Sequence, residues 1–157
     1  MEIINDFSTS VRKALEEIDP NYEQYDGLVV CGTHTPHDTE MMIEKIKEAR
    51  ENKRPTLLIC FGYQLAAIEH ARNILGVKDA TSEEFGRGTF VVKKRDKLKV
   101  GLHSGESWWS NYYVVNEVFF ERDMPSNFVA TQYHPEYGSR KGKPHPDLVK
   151  FLNLCKK

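Results

Sequence analysis

One cysteine and a histidine–glutamate pair are the residues of this 157-residue chain best suited to covalent catalysis. Cys60 stands in the stretch ICFGYQ, where an apolar run meets a helical pattern. A thiolate nucleophile needs exposure on a turn, a base for its proton and backbone N–H donors for the oxyanion. His134 and Glu136, in TQYHPEYGS, offer a base and a carboxylate that fixes its tautomer. If this segment is extended, the two side chains point the same way.

A structural interpretation of the same residues stays open on local pattern alone. Lone cysteines in apolar runs are often buried core residues, and HPE also suits a surface loop with a turn. Cys31 and Cys155 complete an odd, sparse set that does not form a disulfide framework, which indicates a reducing compartment. The chain has no CxxC motif and no tight His/Cys cluster, so we expect no metal site and no cofactor.

The elements that must position these residues alternate in type through the first half of the chain. YDGLVVCGT and PTLLIC have the short apolar pattern of buried strands, and Cys60 ends the second. Apolar residues at helical spacing predict three helices, one capped by Ser8 or Asp6, one by Thr39 or Asp38, and one closed by Gly76. The apolar positions of the first two are Phe7, Val11, Leu15, Ile18, Met42, Ile43, Ile46 and Ala49. Such alternation predicts a parallel sheet covered by helices.

The second half reads as β-rich, with a terminal helix. RGTFVVKKRDKLKVGLHSG alternates apolar and polar residues around KRDK, which predicts a hairpin. SWWSNYYVVNEVFF and SNFVATQYHPEY also favour strands, and HPDLVKFLNLCKK has the helical apolar face Leu148, Phe151, Leu152 and Cys155. With no repeat and no linker, we expect one α/β domain over residues 1–157.

Composition excludes several other classes of function. Charged residues make up 29% of the chain and the formal net charge is −1, which gives no electrostatic reason to expect a nucleic acid partner. No apolar stretch approaches the roughly 18 residues of a membrane span. The polar, acidic start MEIINDFSTSVRKALEE does not resemble a secretory signal, so we expect a cytoplasmic protein.

Taken together, CFGYQLAAIEHARNILGVKDATSEEF and TQYHPEYGSRKGKPHP resemble the glutaminase domain of CTP synthase, a class I glutamine amidotransferase. In that family the cysteine motif is G-I-C-L-G-M-Q, the histidine motif is Q-F-H-P-E-F, and S-R…K-P-H-P follows. The resemblance covers more than half the chain. It implies a flavodoxin-like fold, with a mostly parallel central sheet, flanking helices and a small β-hairpin region.

The resemblance also assigns roles. Cys60 matches the nucleophile that forms a γ-glutamyl thioester and releases ammonia, His134 its base and later acid, and Glu136 the orienting carboxylate. The residues that it implies for substrate binding are Phe61, whose N–H is an oxyanion donor, the 32–33 loop with Gly32 and Thr33, and Gln64, Glu84 and Ser110. The family's synthetase domain has no counterpart in this sequence, so we expect a separate ammonia-accepting synthase as partner.

Three departures from the family pattern bear on activity. Leu58 replaces the glycine two residues before the nucleophile, where a larger side chain threatens a strained turn. The loop PGGFG has become CGTHTPH, in which Thr33 and Thr35 replace glycines and a positive φ would carry a cost. Ser110 stands where an arginine would hold the substrate carboxylate, and a hydroxyl cannot replace that bidentate grip.

Three functional hypotheses follow from these observations. The first is an amidotransferase subunit that hydrolyses glutamine. The second is a hydrolase of another γ-glutamyl amide, which the altered 31–37 loop and Ser110 suggest. The third is a degenerate homologue kept as a binding or regulatory module, which Leu58 and the changed loop favour. The intact set of Cys60, His134 and Glu136 favours the first.

Overall fold

A computed structural model describes residues 1–94, 113–115 and 123–157. Its strands are β1 Glu2–Ile4, β2 Leu28–Val30, β3 Thr56–Ile59, β4 Ala80–Ser82, β5 Thr89–Lys94, β6 Tyr113–Val115 and β7 Phe128–Thr131. Its helices are α1 Ser8–Ile18, α2 Thr39–Glu51, α3 Phe61–Asn73, α4 Pro135–Gly138 and α5 Pro146–Cys155, with a 3-10 turn at Tyr22–Gln24. The strands and long helices predicted in the first half are therefore confirmed.

The four strands β1, β2, β3 and β7 form a parallel sheet in that spatial order. In the register, Leu57 of β3 lies beside Val29 on one side and Val129 on the other. The residues of β2 and β3 are buried on both faces, which explains why their sequences are continuous apolar runs rather than alternating patterns. The predicted parallel sheet with flanking helices is confirmed.

Each face of this sheet has its own apolar core. One core joins the sheet to α2 and α3 and contains Leu28, Val30 and Leu58. The other joins it to α1 and α5 and contains Val29, Leu57 and Ile59. Neighbouring residues of one strand thus point into opposite cores, as the two-residue period of a strand requires. Cys31 and, at its edge, Cys155 belong to the second core, as predicted for Cys155.

A second sheet, in the order β4–β5–β6, accounts for part of the predicted hairpin region. β5 pairs antiparallel with β6, where Lys93 lies opposite Val114. The KRDK turn and the strand predicted after it lie largely or wholly outside the described residues. None of the helices in the described part of the chain combines the length and apolar character needed to cross a membrane.

The predicted helix caps need correction. Phe7, not Ser8 or Asp6, occupies the N-cap position of α1, and it makes no side-chain cap hydrogen bond. Asp38 does precede α2 as predicted, but its carboxylate contacts His37 instead of capping the helix. Gly76, at φ 76°, lies two residues beyond the C-cap Ile74 of α3, one residue later than predicted.

Candidate active site

Three neighbouring strands bring the predicted site residues to the same edge of the parallel sheet. Gly32 follows β2, Cys60 follows β3 and His134 follows β7, each within three residues of the strand's end. Carboxyl ends of parallel strands meet at one edge, which is where open α/β sheets bind ligands. Residues that lie 28 and 74 positions from Cys60 in sequence are thereby collected around it.

Cys60 occupies a strained turn between β3 and α3. Its backbone has φ 53° and ψ −99°, a conformation that side chains disfavour. The Cys60 N–H donates to Thr131 O at 2.7 Å, which ties the turn to β7. Gly62 permits the close approach of α3 to β2, because a Cβ there would lie 2.2 Å from Val30 O. Leu58 is fully buried in the adjacent core, so its larger side chain coexists with the strained turn.

His134 and Glu136 form a buried pair beside this turn. His134 Nδ1 lies 2.6 Å from Glu136 Oε1, and their side chains are 2% and 0% exposed. The expectation that both lie on an extended segment is wrong for Glu136. His134 is extended, but Glu136 lies in the short helix α4, which Pro135 begins. Oε2 of Glu136 is buried with no hydrogen-bond partner among the described residues.

The surroundings of His134 favour its protonated form. Burial alone lowers its pKa, but hydrogen bonds and electrostatic interactions with Cys60 and Glu136 outweigh burial and raise the pKa to about 9. With Glu136 at Nδ1, Nε2 is the ring nitrogen that remains for interaction with Cys60.

The loop after β2 lies directly against the histidine. A Cβ on Gly32 would be 2.9 Å from His134 Cε1, so only glycine fits there without moving the ring. Thr33 and Thr35 are not among the residues with positive φ, and the expected cost of placing threonines in a glycine loop does not arise. The one residue of this loop region with positive φ is Asp38, at 50°.

Of the remaining predicted site residues, two lie in α3 directly after Cys60 and one follows β4. Phe61 begins α3, where its N–H is among the first amides that have no partner within the helix. Gln64 is 4% exposed one turn later, and its N–H donates to Cys60 O at 3.1 Å. Glu84 follows β4, and burial raises its pKa. The neighbouring Phe85 packs edge-to-face on Phe61, with ring centroids 6.0 Å apart. Ser110 lies outside the described residues.

Three further residues contact the site and were not predicted to. The Nε2 of Gln132 lies 3.7 Å from the Sγ of Cys60. The ring of Phe7 packs edge-to-face on His134, with centroids 5.6 Å apart. The carboxylate of Asp6 accepts hydrogen bonds from Thr33 and Thr35. Periodicity had assigned Phe7 to a core face and Asp6 to a cap, and no sequence pattern separates those roles from a role in the site.

No group of three or more histidine, cysteine or acidic side chains suited to a metal ion occurs within the residues that the structure describes. A thiol, an imidazole and a carboxylate are the reactive side chains that Cys60, His134 and Glu136 bring together here. Such a set performs nucleophilic attack on a carbonyl carbon with proton transfer to the leaving group.

Comparisons with known proteins give one family model and a set of curated relatives. The family model described as "Glutamine amidotransferase class-I" matches residues 5–124. Among curated proteins, CTP synthase of Methanoculleus marisnigri is 32% identical over 84% of this chain and 34% of its own length. CTP synthase of Encephalitozoon cuniculi is 32% identical over 85% of this chain and 34% of its own. The chain spans about a third of the length of the curated relatives that it matches.

A solved structure shares the fold over nearly the whole chain. It is the glutaminase domain of Trypanosoma brucei CTPS with bound acivicin, with a TM-score of 0.71 at 20% identity. The match covers 98% of this chain and 92% of that one. The predicted flavodoxin-like arrangement of a mostly parallel sheet between helices is thereby confirmed.

Proposed function

Because the chain belongs to the class-I glutamine amidotransferase family, we propose that it hydrolyses glutamine to glutamate and ammonia through a triad of Cys60, His134 and Glu136. One observation carries the proposal. A cysteine held at φ 53° on a strand-to-helix turn interacts with a histidine whose other ring nitrogen is 2.6 Å from a buried carboxylate. This arrangement supports the roles of nucleophile, base and orienting carboxylate.

The reaction proceeds in two stages. The thiolate of Cys60 attacks the side-chain carboxamide carbon of glutamine, and the carbonyl oxygen becomes an oxyanion. The C–N bond then breaks, and His134 gives its proton to the leaving ammonia. A water molecule, deprotonated by His134, attacks the γ-glutamyl thioester and releases glutamate and the thiol. Glu136 keeps the imidazole oriented and stabilises its positive charge throughout.

Backbone amides supply the oxyanion site in this proposal. The Phe61 N–H lies at the start of α3, directly after the nucleophile, where the helix dipole adds to the stabilisation. The second donor comes from the Gly32–Thr33 loop beside His134. Loss of one such donor costs about 10²–10³ in rate. We further propose that Gln64, Glu84 and Ser110 contact the bound amino acid.

The ammonia acceptor is proposed to be a separate synthase subunit in the cytoplasm. The curated relatives named CTP synthase are about three times longer than their matched part, which leaves room in them for a second activity. A nucleotide-aminating enzyme is accordingly the first partner to test.

Glutamate release from glutamine tests the triad directly. Wild-type protein, alone and mixed with a candidate synthase, should form glutamate, and Cys60→Ala should form none at equal folded concentration. A chloroketone analogue of glutamine should label Cys60 and leave Cys155 unlabelled. The absence of both turnover and labelling in the wild type would contradict the proposal.

Two alternative functions make different predictions in the same assays. A hydrolase of another γ-glutamyl amide would process that compound better than glutamine, and exposed His34 in the altered loop is the residue that would favour it. A degenerate homologue would leave Cys60 unreactive. Retention of the disfavoured Cys60 backbone conformation supports an active site over a degenerate one, since strained residues persist where function requires them.

A further inference from the structure

The segment Asn5–Phe7, here called the N-terminal clamp, holds the backbone of the loop beside His134. Asn5 Nδ2 donates to Cys31 O at 3.0 Å. The Phe7 N–H donates to Gly32 O at 3.5 Å. Because a trans peptide is planar, a carbonyl facing the clamp turns the next N–H, that of Thr33, away from it. The clamp therefore influences which way this peptide presents its amide.

The side chain of Asp6 adds further hydrogen bonds to the clamp. Its Oδ2 accepts hydrogen bonds from the hydroxyls of both Thr33 and Thr35, the latter at 2.9 Å. The Thr33 hydroxyl in turn accepts from the Thr35 N–H at 3.0 Å. Hydrogen bonds from Thr33 and then Thr35 lower the pKa of Asp6, so the acceptor stays ionised at neutral pH. Charged acceptors form stronger hydrogen bonds than neutral ones.

The aromatic ring of the clamp connects the loop to the histidine. Phe7 lies edge-to-face between His34, at 5.1 Å, and His134, at 5.6 Å between centroids. A Cβ added at Gly32 would lie 2.9 Å from Phe7 Cδ2, so the loop backbone runs close beside the ring. The clamp thus fixes the loop both by hydrogen bonds and by contact.

We infer that Asp6 is a positioning residue. It acts through Thr33 and Thr35 to hold the backbone N–H of Thr33 toward the oxyanion that forms in the reaction. The inference rests on the proposed function and extends it. It explains how a loop that has threonines in place of glycines still serves the site, because their hydroxyls bind a carboxylate that the clamp provides.

Asp6→Ala should lower kcat for glutamine hydrolysis about tenfold and change KM less than twofold, since an oxyanion contact acts in the transition state. Asp6→Asn, which keeps one carbonyl acceptor, should recover most of the rate. Asp79→Ala is the matched control, because Asp79 Oδ1 accepts from Thr89 at 3.0 Å in the second sheet. That variant should keep wild-type kcat. Wild-type kcat in Asp6→Ala would overturn the inference.

Hydrogen exchange separates failure of this inference from failure of the proposed function. In Asp6→Ala the amides of residues 32–35 should exchange about tenfold faster than in Asp79→Ala, while those of β3 stay unchanged. If the wild type shows neither glutamine turnover nor labelling of Cys60, the proposed function fails. Unchanged exchange of the 32–35 amides in Asp6→Ala would overturn the clamp in either case. Faster exchange in an inactive protein would retain the clamp and remove its catalytic role.

Discussion

His134 Nδ1 lies 2.6 Å from Glu136 Oε1, and the two side chains are almost completely removed from solvent. A charged pair in such surroundings is stable only if its members bind each other, because burial has removed the hydration of both groups. The pair therefore fixes the orientation of the imidazole beside Cys60, which follows the neighbouring strand β3.

Replacement of Glu136 by glutamine should lower kcat by about 10² or more, because an amide orients the imidazole ring poorly. The loss should be smaller than in Cys60→Ala, because the glutamine variant still contains Cys60. The carboxylate also raises the pKa of His134, so the high-pH limit of activity should move down in Glu136→Gln. A pH–rate profile from 6 to 10 measures both effects. An unchanged high-pH limb would contradict the assigned role of Glu136.

Folding stability should depend on pH through His134. Its pKa is about 9 in the folded protein, above the ordinary value of 6.5. A group whose pKa is raised on folding contributes stability that is complete below its unfolded pKa and is lost as pH rises through the folded pKa. The free energy of unfolding should therefore fall between pH 6.5 and 9. Urea unfolding of wild type and His134→Gln at pH 6 and 9.5 tests this. The free energy of unfolding should fall less between these two pH values in the variant than in the wild type.

Cys60→Gly should abolish activity and yet stabilise the fold. A residue with a Cβ at φ 53° and ψ −99° carries a cost of about 1–3 kcal/mol, which glycine avoids. The greater freedom of glycine in the unfolded chain offsets about 0.5–1 kcal/mol of that gain. The net rise in melting temperature should be a few degrees. Cys60→Ala, which keeps the Cβ, is the control, and an equal melting temperature for both variants would argue against the strain.

Gly32→Ala should reduce activity more than stability. The new methyl group would lie 2.9 Å from His134 Cε1 and from Phe7 Cδ2, both of them side-chain atoms that can shift. Displacement of the imidazole by a few tenths of an ångström should lower kcat about tenfold or more. Circular dichroism and thermal unfolding should remain close to wild type. Wild-type kcat would show that the loop is not against the working histidine.

Gly62→Ala provides the opposite case, in which the fold suffers first. Its methyl group would lie 2.2 Å from Val30 O, a backbone atom in the centre of the sheet that cannot move aside. We expect a loss of about 2 kcal/mol or more in the free energy of unfolding, of the size that overpacking causes. The melting temperatures of Gly62→Ala and Gly32→Ala, measured side by side, should differ by several degrees. Equal values would contradict the packing of α3 on β2.

The sequence by itself determined the elements that can be recognised from local pattern. Continuous apolar runs identified β2 and β3, and helical spacing identified α1 and α2. Burial imposes such patterns on the local sequence, whatever the arrangement of the elements in the fold. Cys60, His134 and Glu136 were selected by residue type and by motif. The predictions of the α1 N-cap and of an extended conformation at Glu136 were wrong. The conformation of short turns and helix ends depends on tertiary contacts, which a local sequence pattern does not contain.

Tertiary structure alone decided which residues gather around Cys60. The sheet order β1–β2–β3–β7 places the segments after β2 and β7 on either side of Cys60, and this order cannot be read from strands taken singly. Asp6, Phe7 and Gln132 enter the site only because strands far apart in sequence become neighbours. A contact of this kind depends on the distance between chain segments in space. That distance is set by the folding of the sheet and cannot be derived from the separation of the residues in sequence.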